Sequence, residues 1–205
     1  MKFIKYSLGI LLCFFSLGVL ALTNPADVIQ NTVIKLQQDV KQNHASLAAS
    51  PGKLYQIVNE TIMPDVDVNQ MSALVLGPLW RQATPDQRQQ FVNQFSLLLT
   101  HTYANALLTV SEYDVSVNPM RNDTWKTSNQ ATVDGQVTPL QGGQTSYVTY
   151  YLVRSGDSWK IYDFSIEGVS FVQNYRSQFS SFKNINDLIA KIQALNEKNG
   201  SSNAG

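Results

Sequence analysis

The sequence predicts an α+β domain: a curved antiparallel sheet of four strands, or slightly more, clasped between N-terminal and C-terminal helices. Three observations carry this. The apolar spacing runs at 3.6 residues, changes to 2 after about Thr109, and returns to 3.6 from Val169. The strand-like segments are joined by Asn122-Asp123, Gln141-Gly142-Gly143 and Ser155-Gly156-Asp157, connections short enough to make antiparallel neighbours. With 205 residues, 43% of them hydrophobic, the chain can bury one sizeable core, and there is neither internal repeat nor linker.

The first 21 residues read as a signal peptide. Lys2 and Lys5 precede an apolar run from Ser7 to Leu20, which ends in the small-residue cleavage pattern Val19-Leu20-Ala21. The run is shorter than the roughly 20 residues a membrane span needs. The single cysteine, Cys13, falls inside it between Leu12 and Phe14, without the small residue that a lipoprotein signal places before its cysteine. The expected mature chain, starting near Leu22, is exported, cysteine-free and stabilised by packing alone.

Asn24-Pro25 opens the first helix with a cap and a proline at its first position, and Ile29, Val33, Leu36 and Val40 follow at helical spacing. Ser50-Pro51 opens a second, carrying Leu54, Ile57, Val58 and Ile62. A third spans about Gln70 to Trp80. Thr84-Pro85-Asp86-Gln87 is the clearest start signal: cap, proline, acidic first turn and capping-box glutamine. The helix it begins reaches about Thr109 with a stripe of Phe91, Phe95, Leu98, Leu99, Tyr103 and Leu107.

Strands follow over Tyr113 to Met120, Gln130 to Thr138, Thr145 to Arg154 and Ser158 to Ile166. In the third, Tyr147, Tyr151 and Val153 share one face and Val148, Tyr150 and Leu152 the other, so neither face reads as the wet one. A helix from Val169 carries Phe171, Val172, Tyr175, Phe179 and Phe182, and a last one from Asn184 carries Ile185, Leu188, Ile189, Ile192 and Leu195. The single domain is expected over residues 22 to 198, with a disordered tail from Asn199 to Gly205.

Charge excludes some partners. Without Lys2 and Lys5, 13 basic residues face 15 acidic ones with no basic block, which argues against nucleic acid and against anionic membrane held by bulk electrostatics. No catalytic motif is present. His44 reads as solvated and His101 as hydrogen-bonded within the long helix, and G-x-S-x-G, Walker and H-E-x-x-H patterns are absent from the sequence. Asp65-Val66-Asp67-Val68-Asn69 has the spacing of a calcium loop, but Gln70 and Leu76 stand where glycine and a bidentate glutamate are required; Asp67 or Asn69 reads instead as a helix cap. What remains is an excess of large apolar side chains, which an ordinary core would also explain.

Two stretches resemble a known family. "MPDVDVNQMSALVLGPLWRQATPDQRQQFVNQF", residues 63 to 95, carries Val75-Leu76-Gly77, Trp80, Ala83-Thr84-Pro85, Gln87-Arg88 and Phe91. "YDFSIEGVSFVQNYRSQF", residues 162 to 179, carries Tyr162-Asp163, Glu167-Gly168-Val169-Ser170, Tyr175-Arg176 and Phe179. Both resemble the toluene-tolerance (MlaC) family of periplasmic phospholipid-binding proteins. The resemblance implies a sheet and helices around a deep apolar pocket for acyl chains, phospholipid as bound cargo, no cofactor and no metal. It implies a monomer in the periplasm without stable membrane insertion, meeting an outer-membrane complex containing MlaA and an inner-membrane Mla ABC transporter through MlaD, in service of outer-membrane lipid asymmetry. The pocket candidates are Leu74, Val75, Trp80, Phe91, Phe95, Leu98, Leu99, Tyr103 and Leu107 from the helices, Tyr147, Tyr151, Val153 and Phe164 from the sheet, and Val169, Phe171, Val172 and Tyr175 beyond it. Helices are expected on one face of the 146 to 154 strand and the pocket on the other, the sequence leaving open which is which. Gly77 and Gly168 are expected to serve backbone geometry, and Glu167 and Arg176 to form an internal ion pair. The competing reading is an enzyme, or a binding module for a small apolar ligand, with a cone-shaped fold like nuclear transport factor 2 and Asp163, Tyr162 or Glu167 as acid or base.

Overall fold

The computed structural model describes residues 22–202; the expected signal peptide with Cys13, and the last three residues, lie outside them. Helix α1 (Pro25–Ala48) starts as its sequence requires, with Asn24 Oδ1 accepting the Ala26 N–H at 3.0 Å. Helix α2 (Pro51–Ile57) does not simply continue: it widens into a π-helical turn over Val58–Ile62 and then tightens to a 3₁₀ turn over Met63–Asp65, where Pro64 has no N–H to extend the ladder.

The aspartate run beyond it is a capping device. Asp67 Oδ1 accepts the Gln70 N–H at 2.8 Å and opens α3 (Val68–Leu76). The single helix expected from Gln70 to Trp80 is broken at Gly77, because a residue before proline is barred from the α region and Gly77 can turn to φ 54°. Helix α4 (Pro78–Gln82) follows. Then α5 (Pro85–Leu107) begins with both halves of the capping box, Gln87 N–H to Thr84 Oγ1 at 3.2 Å and Thr84 N–H to Gln87 Oε1 at 2.9 Å.

Five antiparallel strands lie in chain order: β1 (Tyr113–Val117), β2 (Gln130–Pro139), β3 (Ser146–Ser155), β4 (Ser158–Ile166) and β5 (Val169–Ser170). β1 ends short of the expected Met120. β5 belongs to a segment expected to be helical: Glu167 and Gly168, at φ 50° and 78°, make a two-residue hairpin turn. Ser170 then caps α6 (Phe171–Phe179), its hydroxyl accepting the Gln173 N–H at 3.1 Å. A bulge between Tyr151 and Leu152 leaves Tyr162 as the extra residue of β4. The last helix, α7 (Ile185–Ser202), continues through Asn199 and Gly200, which were expected to be disordered.

Cross-strand pairing sets the faces. Val115, Val137, Val133, Val148, Tyr150, Leu152 and Phe164 share one face, and Ile29, Val28 and Ala26 of α1 pack with Leu152, Val133 and Trp159 there. Asp114, Ser116, Thr132, Asp134, Gln136 and Thr149 point the other way with Tyr147, Tyr151 and Val153. A second cluster, from α3, α5, α6 and α7, is solid: Phe91, Phe95, Leu188 and Ile192 are completely buried in it.

Candidate functional site

Between the concave face of the sheet and the helices the side chains do not meet. A hollow of about 330 Å³ is walled by Ile29, Thr32, Val33 and Leu36 of α1, by Ile62, Val66, Met71 and Leu107, and by Val137, Val148, Tyr150, Ile161, Phe164 and Ile166 of the sheet. A second, of about 150 Å³, adjoins it through Ile62, Val66, Met71, Leu107 and Phe164 and adds Val58, Met63, Leu99, Thr100, Tyr103, Ala104 and Phe171. No wall residue of either is charged. Three other hollows, of about 350, 390 and 340 Å³, are no smaller, but Arg121 with Asp134, Arg176 with Lys183, and Lys41 with Asp114 stand in their walls. Chemistry rather than size sets the apolar pair apart.

The hollow stays open because its perimeter is strutted by hydrogen bonds. The Asp67 N–H donates to the Ile161 carbonyl at 2.8 Å, and Val66 bridges Ile161, fixing the 63–67 segment to β4. Gln37 Nε2 donates to the carbonyls of Val110 and Tyr113 at 3.2 and 2.9 Å, fixing α1 to the start of β1. Thr32 Oγ1 lies 2.5 Å from Asp65 Oδ2. Moving α1 inward to fill the space would break the bonds that Gln37 and Thr32 make, at half-buried positions.

Few polar atoms reach the hollow. The Thr100 hydroxyl is satisfied by the Ser96 carbonyl at 3.1 Å. Tyr150 is held in the cavity wall, where burial pushes its phenol pKa up. Tyr103 is 40% exposed at the edge of the smaller hollow; its oxygen lies 3.3 Å from the Tyr175 hydroxyl, which donates to it. Burial raises the Tyr175 pKa, helped by that bond, and a Thr102 hydrogen bond opposes the rise.

Of the residues singled out in the sequence, Leu99, Tyr103, Leu107, Phe164 and Phe171 line the hollow. Val75, Phe91, Phe95, Leu98, Val172 and Tyr175 are buried in the solid cluster instead, where helix packs against helix. Trp80 packs on that cluster under the Arg88 guanidinium, 5.2 Å from its ring. Leu74 of α3 is 38% exposed, and Val169 at the β5 hairpin is 67% exposed. Tyr147, Tyr151 and Val153 stand on the convex face: helices and hollow share the same side of the sheet, and the two-sided arrangement expected for this strand does not occur. Aromatic bulk marks that outer face, with Tyr151 and Tyr162 at 6.4 Å between rings. The wall residues of α1, the 58–66 turns and the Val148/Tyr150 face were missed; the signal was there in Val148, Tyr150 and Ile161, which alternate inward once the bulge is known.

The expected Glu167–Arg176 ion pair is not formed. Glu167 Oε1 accepts the Tyr147 N–H at 2.7 Å, and the Arg176 guanidinium lies over Gly77, 3.2 Å from where a Cβ would stand. Asp163 is spent on structure: its carboxylate accepts the N–H groups of Phe164 and Val172 at 2.8 and 3.0 Å and the Ser170 hydroxyl at 2.6 Å, tying β4 to the start of α6. His101 rests on the Tyr55 ring at 4.7 Å with Nδ1 buried and unbonded; burial lowers its pKa, against a bond to the Asn196 backbone. Among the described residues no cluster of acidic, histidine or cysteine side chains suits a metal ion, and no helix is long and apolar enough to cross a membrane.

Comparison with known proteins adds a second line of observation. The sequence model of the family described as "MlaC protein" matches residues 30–197. The toluene tolerance protein ttg2D of Pseudomonas putida is 31% identical over 188 residues, covering 90% of this chain and 86% of that protein. The intermembrane phospholipid transport system binding protein MlaC of Haemophilus influenzae is 25% identical over 181 residues, covering 85% and 83%. Among solved structures, a phospholipid-binding protein from Ralstonia solanacearum, in complex with a phospholipid, superposes with a TM-score of 0.77 at 25% identity, covering 87% of this chain and 99% of that one.

Proposed function

The chain belongs to the MlaC protein family, and from that premise we propose that it is a phospholipid carrier which holds acyl chains in the hollow between the concave sheet and α1, α3 and α5. One observation supports this above the rest: two adjoining cavities whose walls carry no charged side chain. The relative from Haemophilus influenzae is named for intermembrane phospholipid transport, and the Ralstonia solanacearum structure holds a phospholipid.

The energetics suit a carrier. At about 0.8 kcal/mol per methylene, a lipid with roughly 30 chain methylenes needs on the order of 20–25 kcal/mol to enter water. Free diffusion is closed to it. A dry apolar hollow offsets most of that cost, as a bilayer does, so loading and unloading are nearly balanced and partner proteins need supply only a few kcal/mol to set direction. The headgroup remains at the mouth, in water.

In this reading residues 22 to 198 act as one exported, monomeric domain in the periplasm after cleavage near Ala21. It receives and delivers lipid at the MlaA-containing complex of the outer membrane and at MlaD of the inner-membrane transporter. It acts without catalysis or cofactor. The enzyme reading is less favoured, since Asp163 accepts three hydrogen bonds that tie β4 to α6 and Glu167 accepts the Tyr147 N–H, which leaves Tyr162 alone of its three candidate groups. Organic-solvent extraction of the purified mature protein is expected to release phospholipid in stoichiometric amount; protein that is lipid-free as isolated and takes up none from vesicles contradicts the proposal.

A further inference from the structure

A diacyl phospholipid is not uniformly greasy where its tails begin. Its two ester carbonyls are uncharged acceptors lying between hydrocarbon and headgroup, and a site that swallows the tails must either leave those oxygens in water or bond them. The apolar hollow has one hydroxyl at that boundary. Tyr103 belongs to the wall of the smaller cavity among Leu99, Leu107 and Phe171, yet keeps 40% of its surface exposed. Other hydroxyls of the walls are spent or deeper: Thr100 on the Ser96 carbonyl, Thr32 on the Val28 carbonyl and beside Asp65, and Tyr150 in the wall of the larger hollow, where it is less exposed than Tyr103.

The Tyr103 oxygen is already supplied with a proton from behind. The Tyr175 hydroxyl, on a side chain 5% exposed, donates to it at 3.3 Å, and Thr102 bonds Tyr175 in turn. A phenol that accepts one hydrogen bond still has its own O–H to give, and gives it more strongly because successive bonds polarise one another. Among the described residues no protein acceptor takes that proton. We propose that Tyr103 is the polar anchor of the cavity, donating its hydroxyl proton to an ester carbonyl of the bound lipid, so that the protein selects ester-linked over ether-linked chains. A carbonyl fits better than the phosphate, since neither hollow has a cation in its walls to accompany a charge out of water. The Tyr103 ring also sits 5.7 Å from that of Phe171, so Tyr103→Phe removes the donor and keeps the packing.

This inference rests on the carrier reading, and the test separates the two. Mature protein loaded with a fluorescent phosphatidylcholine is titrated with diacyl phosphatidylcholine and with its dialkyl ether analogue of equal chain length. The wild type is expected to favour the ester lipid by roughly 2- to 10-fold, the worth of one hydrogen bond. Tyr103→Phe is expected to lose that preference by weakening ester binding alone, in a protein that still folds but with a somewhat lower unfolding midpoint, because the buried Tyr175 hydroxyl loses its acceptor. Equal affinity for both lipids in the wild type, or a preference that survives in Tyr103→Phe, overturns the anchor and leaves the carrier standing; failure to bind either lipid overturns both.

Discussion

The α3–α5–α6–α7 cluster and the space under the sheet are built from the same kinds of residue and end differently. In the first, Phe91, Phe95, Tyr175 and Phe179 close on one another with ring centroids 5.2 to 6.4 Å apart. In the second, Val148, Tyr150, Leu36 and Leu107 face a void. Phe164 and Phe171, stacked at 4.7 Å, stand where the smaller hollow meets α6. Helices that touch only through side chains settle until those side chains meet. Helix α1 and the 58–67 turns are instead tied at the rim, α1 to the start of β1 by the Gln37 side chain and the turns to β4 by the Asp67–Ile161 backbone bond, which hold them at a set distance. Apolar side chains are thus necessary for both regions, and the polar frame decides which one fills itself.

The sharpest way to break this comparison is to fill the void. Val148→Trp places an indole in the larger hollow and is expected to remove nearly all co-purifying phospholipid while the fold survives. Val153→Trp, five residues along the same strand but on the convex face, is expected to leave lipid content unchanged. Equal lipid loss in both variants would erase the distinction between the two faces.

Truncation probes the solid side. Phe95→Ala, at a completely buried position, is expected to cost about 3–5 kcal/mol in urea unfolding. Phe164→Ala, beside an existing void, is expected to cost less than about 2 kcal/mol in lipid-free protein, because fewer partner atoms are lost. Similar costs would mean that both regions are packed alike.

Gly77→Ala is a smaller and more local perturbation. A methyl group there meets the Arg176 guanidinium at 3.2 Å on a backbone at φ 54°, so a loss of about 1–2 kcal/mol is expected, without change in lipid content. The smallest effect is on pH. Tyr175 has its pKa raised above the ordinary 10.0 in the folded chain, so the unfolded chain releases the proton first. Above pH 10 the folded state therefore binds more protons than the unfolded one, and stability falls with rising pH by at most about 1.4 kcal/mol per unit. The contribution is complete below pH 10. Tyr175→Phe is expected to flatten that decline, leaving a weaker one from Tyr150 and Tyr162, whose pKa values burial also raises.

Much of the frame was legible from the residues. Asn24-Pro25, Asp67 and the Thr84/Gln87 box mark helix starts through bonds between neighbours in sequence, and local chemistry of that kind reads directly. Four of the five strands were legible by the change of apolar period and the short turns between them, β3 in spite of its two apolar faces. The faces were not: Tyr147, Tyr151 and Val153 are as apolar as the Val148 set, and only the pairing of Thr132, Asp134 and Gln136 with that row reveals it as the outer one. The π-helical turn at Val58–Ile62, the bulge at Tyr162 and the two-residue β5 leave no periodic trace, yet they position the cavity walls. Aromatic bulk pointed to Phe91, Phe95 and Tyr175 as lining because bulk alone does not say whether a neighbour will arrive to cover it.

The most direct test follows the tail itself. A phospholipid carrying a nitroxide midway along one acyl chain is loaded into protein with methyl-labelled valine, leucine and isoleucine. Methyl signals of Val148, Ile161 and Leu107 are expected to broaden beyond detection, while those of Leu188 and Ile192 in the solid cluster stay sharp. Broadening centred on Leu188 and Ile192, or on Val153, with Val148 and Ile161 unaffected, would contradict the placement of hydrocarbon between the sheet and α1.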